Sequence, residues 1–271
     1  RYHLGPDIEV GNIYPVMYAK TFFDGMKAER QENIINLLRC AWAGSQKYGA
    51  LVWSGDIKSS FPSMKNQVAA GLNMGIAGIP WWTTDIGGFF GANINDPEFH
   101  ELLIRWFEYG CFCPVMRLHG YRWPLQPQYG TTGGATCVSG APNEVWSYTD
   151  QVCEILSDYL RLRERMLPYI TELMEEAHEK GTPVMRPLFY DFPEDKESWN
   201  VETEYMFGPK VLVKPITDAD ARETDVYLPG GASWTNAWTG ETFEGGQKVH
   251  VAAPIEQIPL FTRDGYKLPM K

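Results

Sequence analysis

The chain has 271 residues, of which 44% are hydrophobic and 21% are charged, and its formal net charge is −10. This length suits one large domain or two smaller ones with real cores, and the dispersed basic residues of an acidic chain exclude nucleic acid as an expected partner. The sequence contains no run of about 18 apolar residues, so it predicts no membrane-spanning helix.

The first half of the chain predicts helices that alternate with short strands. Apolar residues at helical spacing indicate a first helix within residues 11–32. Strands separated by helices imply a parallel sheet with right-handed crossovers. Four short apolar runs predict these strands, at about residues 36–42, 50–54, 78–84 and 113–118.

A polar residue lies within or directly after each predicted strand, near its C-terminal end: Arg39, Asp56, Asp85 and His119. In a (β/α)₈ barrel the C-terminal ends of the strands form the active site, so we expect these four side chains to share one rim. Four strands make only half a barrel, and half a barrel leaves two open sheet edges and an uncovered core face.

The second half of the chain changes character. Apolar residues recur every three or four positions from about residue 144 to residue 180, which predicts one long amphipathic helix, kinked at Pro168 and ended by Gly181. Short aromatic and β-branched runs split by Gly and Pro follow, and they predict an antiparallel β-sandwich. We place a domain boundary near residue 181, between units 1–181 and 182–271.

Each of the four polar residues also has a purely structural interpretation. Asp56 would serve as the N-cap of the following helix, and Asp85 would accept hydrogen bonds from the amides of a glycine turn. Arg39, if buried, needs a carboxylate partner, for which Asp85 is the candidate. His119 alone is more often structural than catalytic. Four strand ends that deliver Arg, Asp, Asp and His together favour a functional site over these separate explanations.

The sequence predicts neither a metal site nor a cofactor. Five cysteines are scattered along the chain, and Cys111 and Cys113 have no second pair of ligands at zinc spacing, so buried free thiols are the favoured interpretation. No nucleotide, flavin or zinc-protease motif occurs. Aromatic residues make up 14% of the chain, including ten tryptophans. This excess is typical both of sugar-binding sites and of large cores.

Three segments resemble the signatures of glycoside hydrolase family 31: RCAWAGSQKYGALVWSGD, GIPWWTTDIGGF and PVMRLHG. The resemblance extends over essentially the whole chain. It implies a (β/α)₈ TIM barrel followed by a β-sandwich, and an activity as a retaining α-glycosidase on an oligosaccharide or small α-glycoside. It also implies that Asp56 is the general acid/base. The residues that would contact the sugar are Arg39, Trp53, Asp85, Phe89 and His119.

Within the family, the segment EVGNIYPVMYAK and the motifs around Asp56 and Asp85 look most like the α-xylosidase branch, with α-glucosidase as the alternative. Two other classes stay open: a carbohydrate-binding relative without catalysis, and a different barrel enzyme such as an aldolase. An aldolase would need a Schiff-base lysine at a strand end, and Lys58, the nearest candidate, lies beyond the strand on the following loop.

The chain departs from the family pattern at the nucleophile. The family places this aspartate in a D-x-x-E segment on the fourth barrel strand, and neither Asp7 nor Asp24 stands in such a motif. We therefore expect this sequence to be the C-terminal part of a larger enzyme, with barrel strands five to eight, and to be inactive alone. The missing half would come from upstream residues of the same protein or from another chain, as in a homo-oligomer.

Overall fold

The computed structural model describes residues 2–270. Its first part contains short parallel strands and the helices that connect them. The helices are α1 (Asp7–Val10), α2 (Tyr14–Ala28), α3 (Phe61–Ile76) and α4 (Pro97–Cys111), and the strands are β1 (Asn36–Leu38), β2 (Ala50–Trp53), β3 (Trp82–Thr83), β4 (Ala92–Asn93) and β5 (Arg122–Trp123). Within these residues no helix is long and apolar enough to cross a membrane.

Strands β1, β2 and β3 form one parallel sheet in that order, as the alternation of strands and helices predicts. Helix α3 carries the chain from β2 to β3. It begins where the Ser60 side chain accepts a hydrogen bond from the backbone N–H of Ser63. Met64 and Val68 of this helix are buried in one core with Val52 and Trp82 of the strands. The sheet and its helices are therefore part of a barrel wall.

The predicted fourth strand, residues 113–118, is not a strand in the structure. The segment lies beside β3, but only two hydrogen bonds join it there: from Val115 N–H to the Trp82 carbonyl (3.1 Å) and from Ile86 N–H to the Arg117 carbonyl (3.3 Å). Pro114 has no N–H to donate. The guanidinium of Arg163 binds the Pro114 carbonyl at 2.8 Å and that of Cys113 at 2.7 Å, so these oxygens are not available to a ladder.

The predicted helix over residues 144–180 is divided into α5 (Asp150–Arg165) and α6 (Leu167–Lys180). The break falls at Met166 because Pro168, in the first turn of α6, cannot donate a backbone hydrogen bond to the end of α5. Gly181 ends α6 as predicted, with a left-handed φ of 72° and an N–H bond to the Ala177 carbonyl at 3.0 Å.

The second part of the chain is antiparallel, as predicted. Its strands are β6 (Met185–Pro187), β7 (Tyr205–Phe207), β8 (Val211–Val213), β9 (Glu223–Leu228), β10 (Ser233–Asn236), β11 (Thr242–Glu244), β12 (Gln247–Ala252) and β13 (Leu260–Arg263), with a short helix α7 (Leu188–Asp191) after β6. A six-stranded sheet has the order β11-β10-β13-β8-β7-β6, and β9 pairs with β12 in a separate ribbon. Trp234 and Phe261 of the large sheet share a buried core with Val226 and Val249 of the ribbon, which makes the unit a sandwich.

Helix α4 joins the two parts through a buried charge. The guanidinium of Arg105 is fully buried and donates to the carbonyls of Ala221 (3.0 Å) and Ala253 (2.7 Å), which belong to the β-rich part. It also pairs with buried Glu108 at 3.1 Å, and the hydroxyl of Tyr159 on α5 donates to the same carboxylate. Burial raises the pKa of Glu108 to about 7 in spite of the nearby Arg105.

The start of the sheet presents apolar surface to the outside. Strand β1 pairs only with β2 among the described residues, so its other edge is open. Many large apolar side chains on α1, α2 and the segments around β1 are exposed. They are Ile8, Ile13, Tyr14, Met17, Tyr18, Phe22, Met26, Ile35, Leu37 and Trp42.

We predict that residues 1–271, expressed alone, associate and are poorly soluble, because an open edge strand beside a large apolar surface promotes contact between chains. Light scattering on the purified segment measures this. The matched control replaces the exposed Tyr18 and Phe22 with Ser and Lys, which we expect to lower the apparent mass. A soluble monomer of the unmodified segment would contradict the prediction.

Candidate active site

Asp56 lies just beyond the C-terminal end of β2 and does not cap a helix. The N-cap of α3 is Ser60, so the capping interpretation of Asp56 is wrong. The Asp56 carboxylate instead forms an ion pair with Arg39, whose guanidinium lies 5.7 Å from the centre of the Trp53 ring. The side chains of Arg39 and Asp56 are 61% and 41% exposed, so this ion pair is accessible to solvent.

Asp85 follows β3 and is fully buried. Its Oδ1 pairs with the guanidinium of Arg117, not with Arg39 as the sequence analysis proposed, and not with the amides of the glycine turn. Its Oδ2 is buried without a hydrogen-bond partner among the described residues. Burial raises the pKa of the Asp85 carboxyl, while the charges of Arg117 and His119 act in the opposite direction.

Phe89 and His119 face each other at the same rim, with ring centroids 5.6 Å apart. The backbone N–H of Phe89 donates to the carbonyl of Ile57 at 2.7 Å. Ile57 directly follows Asp56, so this bond ties the turn after β3 to the turn after β2.

The structure therefore brings the six predicted residues together in two adjoining groups. One group contains Arg39, Trp53 and Asp56, and the Ile57 carbonyl connects it to the group of Asp85, Phe89 and His119. The charge of Asp56 also contributes to the raised pKa of Asp85. Carboxylates, a guanidinium, an imidazole and aromatic faces together suit a polyhydroxylated ligand, which needs donors, acceptors and apolar contact.

Two arginines at this rim, Arg117 and Arg122, were not predicted from the sequence. Arg117 stands two residues before His119, and the i, i+2 spacing in an extended segment places both on one face, which was a usable signal. Arg122, in GYRWP, is fully buried and binds the backbone of residues 86–89. Nothing in its neighbours distinguishes it from a surface arginine.

Cys111 and Cys113 are free, buried thiols, as the sequence predicts. Burial raises the pKa of each thiol to about 12, so both are protonated. Among residues 2–270 no cluster of three or more His, Cys, Asp or Glu side chains has the geometry to hold a metal ion.

Comparison with known families supports this picture. Residues 3–173 match the model of the glycosyl hydrolases family 31 TIM-barrel domain, and residues 181–268 match that of the family 31 C-terminal domain.

Individual relatives are α-xylosidases and α-glucosidases. The chain is 37% identical over 270 residues to an α-xylosidase of Saccharolobus solfataricus, with 97% of this chain aligned to 34% of that protein. It is 33% identical over 264 residues to α-glucosidase 2 of Bacillus thermoamyloliquefaciens, with 95% of this chain aligned to 30% of that protein. The chain thus spans about a third of the length of these relatives.

One solved structure is particularly similar. It is the crystal structure of a GH31 α-xylosidase from a soil metagenome complexed with xylose, 56% identical to this chain, with a TM-score of 0.94. The alignment covers 99% of this chain and 40% of that one.

We predict that Arg117→Met raises the pKa of the Asp85 carboxyl. The Arg117 guanidinium lowers that pKa, so its removal leaves the effect of burial unopposed by this charge. The measurement is an NMR titration of the Asp85 carboxyl in the full-length protein labelled with ¹³C-aspartate. Arg161→Met, which removes the exposed arginine paired with Asp158, is the control, and an Asp85 pKa that stays in place or falls in R117M would contradict the prediction.

Proposed function

Because the chain belongs to glycosyl hydrolase family 31, we propose that the complete protein is a retaining α-glycoside hydrolase that releases a non-reducing terminal α-linked sugar. The observation that carries this proposal is the rim itself. An exposed carboxylate, Asp56, adjoins a buried carboxylate, Asp85, beside an imidazole and aromatic rings. The two carboxylates follow strands β2 and β3, and the imidazole of His119 follows the irregular segment 113–118. We further propose that the sugar is xylose.

Asp56 is the proposed general acid/base. The Asp56 carboxyl is exposed to solvent, so a leaving group can reach it, whereas the Asp85 carboxyl is buried and pairs with Arg117. In the first step the upstream nucleophile would attack the anomeric carbon and form the glycosyl-enzyme bond, while Asp56 transfers its proton to the departing glycosidic oxygen. In the second step it would take a proton from the water that attacks the glycosyl-enzyme intermediate.

The sugar itself would be held by the neighbouring side chains. A general acid must carry a proton when substrate is bound, so we propose that the Arg39 guanidinium exchanges its contact with Asp56 for sugar hydroxyls. His119 would donate to a hydroxyl, and Asp85 would accept from one with its unpartnered Oδ2. Trp53 and Phe89 would cover the apolar face of the ring.

The nucleophile is proposed to come from residues upstream of this chain. A retaining mechanism needs a second carboxyl about 5–5.5 Å from the acid/base. Asp7 and Asp24 lie on helices α1 and α2, not at a strand end. The exposed apolar surface of α2 and β1 is where we propose that the rest of the barrel packs, supplied by the same protein or, as the alternative, by a second copy.

The division of the chain is proposed at residue 181. Residues 1–181 would contribute barrel strands five to eight with the closing helices α5 and α6, although the fourth of these strands, residues 113–118, is irregular in the structure. Residues 182–271 would form the β-sandwich domain.

We predict that Asp56→Ala in the full-length protein lowers turnover of α-xylosides with poor leaving groups by about 10²–10⁴-fold, because proton transfer to the leaving oxygen is lost. Aryl glycosides with good leaving groups need less protonation and should lose far less activity. Added azide, which needs no general base, should partly restore turnover. Steady-state rates on both substrate types measure this.

The matched control for D56A is Asp158→Ala, an exposed aspartate that also pairs with an arginine, Arg161. It should leave all rates unchanged. Equal loss on both substrate types in D56A, with no azide rescue, would assign Asp56 a structural role and favour a carbohydrate-binding protein without catalysis.

We predict a kcat/KM for p-nitrophenyl α-xyloside about 10- to 100-fold above that for the α-glucoside, since a pocket shaped for xylose must exclude an additional hydroxymethyl group. A panel of p-nitrophenyl glycosides on the full-length protein tests this, with the β-xyloside as a negative control. A preference for the α-glucoside would make the protein an α-glucosidase, in keeping with its similarity to such enzymes.

A further inference from the structure

Arg122 has a buried guanidinium that pairs with no carboxylate within residues 2–270. It is fully buried, and its donors go almost entirely to one short turn. Its Nη1 binds the carbonyl of Gly88 at 2.8 Å and that of Phe89 at 3.4 Å, and its Nη2 binds the carbonyl of Ile86 at 3.1 Å. This turn begins directly after Asp85 and ends at Phe89, two residues that the proposed function places against the sugar.

The backbone on both sides of the guanidinium is adapted to its presence. A Cβ at Gly120, the residue after His119, would lie 2.5–2.6 Å from three guanidinium atoms, and a Cβ at Gly87 would lie 2.9 Å from Nη2. Only glycine allows the chain to approach this closely. Arg122 therefore fills the space between the turn that carries Phe89 and the segment that carries His119.

Two further contacts hold the arginine itself in place. The ring of Phe99 on α4 lies 4.9 Å from the guanidinium, a cation–π contact. The Nε donates to the Asn143 side-chain oxygen at 3.1 Å, and the hydroxyl of Tyr148 donates to the same oxygen at 2.5 Å. The guanidinium is thus fixed from a helix and from the loop before α5, independently of the turn that it binds.

We propose that Arg122 is a positioning residue for sugar binding, which fixes the turn of residues 86–89 so that Asp85 and Phe89 stand in register with His119. The inference rests on the proposed function, because it assigns these three residues to the sugar site. Arg122 touches none of the reacting atoms in this scheme. It acts on the residues that would bind the sugar, whereas Asp56, which would protonate the leaving group, pairs with Arg39 and lies outside the turn that Arg122 binds.

This placement predicts a characteristic kinetic change in Arg122→Gln. Displacement of binding groups by about 1 Å costs up to about 10²-fold in rate, so we expect kcat/KM for aryl α-xylosides to fall about 10- to 100-fold, mainly through a higher KM. The loss should be the same for good and poor leaving groups, unlike that of D56A. Arg122→Lys should recover only part of the loss, since an ammonium is a point donor that cannot span three carbonyls.

A merely structural role gives a different result. If Arg122 only supports folding, its variants contain fewer active molecules, so kcat falls while KM keeps its native value. Arg105→Lys is the matched control, because Arg105 is equally buried and also binds carbonyls, but those belong to the β-sandwich. We expect R105K to keep the native KM.

Asn143→Ala is a milder second variant, useful if R122Q does not fold. It removes the acceptor of the Nε and should raise KM in the same direction by a smaller factor. Native KM values in both R122K and N143A would overturn the inference while the enzyme stays active. Absence of turnover on every α-glycoside by the unmodified protein would instead refute the proposed function, and xylose binding by calorimetry would then test the positioning role alone.

Discussion

The constraint on which this structure depends is that buried peptide carbonyls outside helices and sheets still need hydrogen-bond donors. The strands of the barrel part are only two to four residues long, so much of its interior is irregular backbone. Three arginines supply such donors in the two parts of the chain: Arg105 and Arg122 are fully buried, and Arg163 is partly exposed. Arg163 binds the carbonyls at the end of α4, Arg122 binds the turn after β3, and Arg105 binds loops of the sandwich. A hydrogen bond to a charged group stabilises the folded state by about 1.5–3 kcal/mol. The several bonds made by each of these guanidiniums therefore stabilise their segment more than the single hydrogen bond of an ordinary turn would.

The same guanidinium contacts connect the sandwich to the rim of the barrel. Helix α4 lies between them: Arg105 reaches the carbonyls of Ala221 and Ala253, and the next residue, Trp106, donates from its indole to the Thr84 hydroxyl at 2.9 Å. Thr84 precedes Asp85. Helix α4 therefore contacts both parts of the chain: Arg105 binds the β-rich part, and Trp106 binds the residue that precedes Asp85.

The helices and strands that hydrophobic periodicity and capping residues determine could be predicted from the sequence. The parallel order of β1, β2 and β3, the helices and the Gly181 cap follow from local pattern, and so does the placement of Arg39, Asp56, Asp85 and His119 near one rim. The ion-pair partners of these residues could not be predicted from local pattern. The end of a strand determines where the backbone of a residue lies, but which arginine pairs with which carboxylate depends on how the loops pack against one another. The assignment of Arg39 to Asp85 failed for this reason, and the strand at 113–118 failed because Arg163 competes for its carbonyls.

Asp56 and Asp85 differ in the feature that separates a proton carrier from a binding group. Asp56 is exposed to solvent and its partner Arg39 is more exposed still, so their contact contributes little to stability and is easily exchanged. Asp85 has no exposed surface, pairs with Arg117, and has one oxygen without a hydrogen-bond partner among residues 2–270. To leave such an oxygen unpaired in the interior costs about 1–3 kcal/mol. A sugar hydroxyl bound as proposed would recover that cost, which supports the proposal that the buried carboxylate holds the sugar and the exposed one transfers the proton.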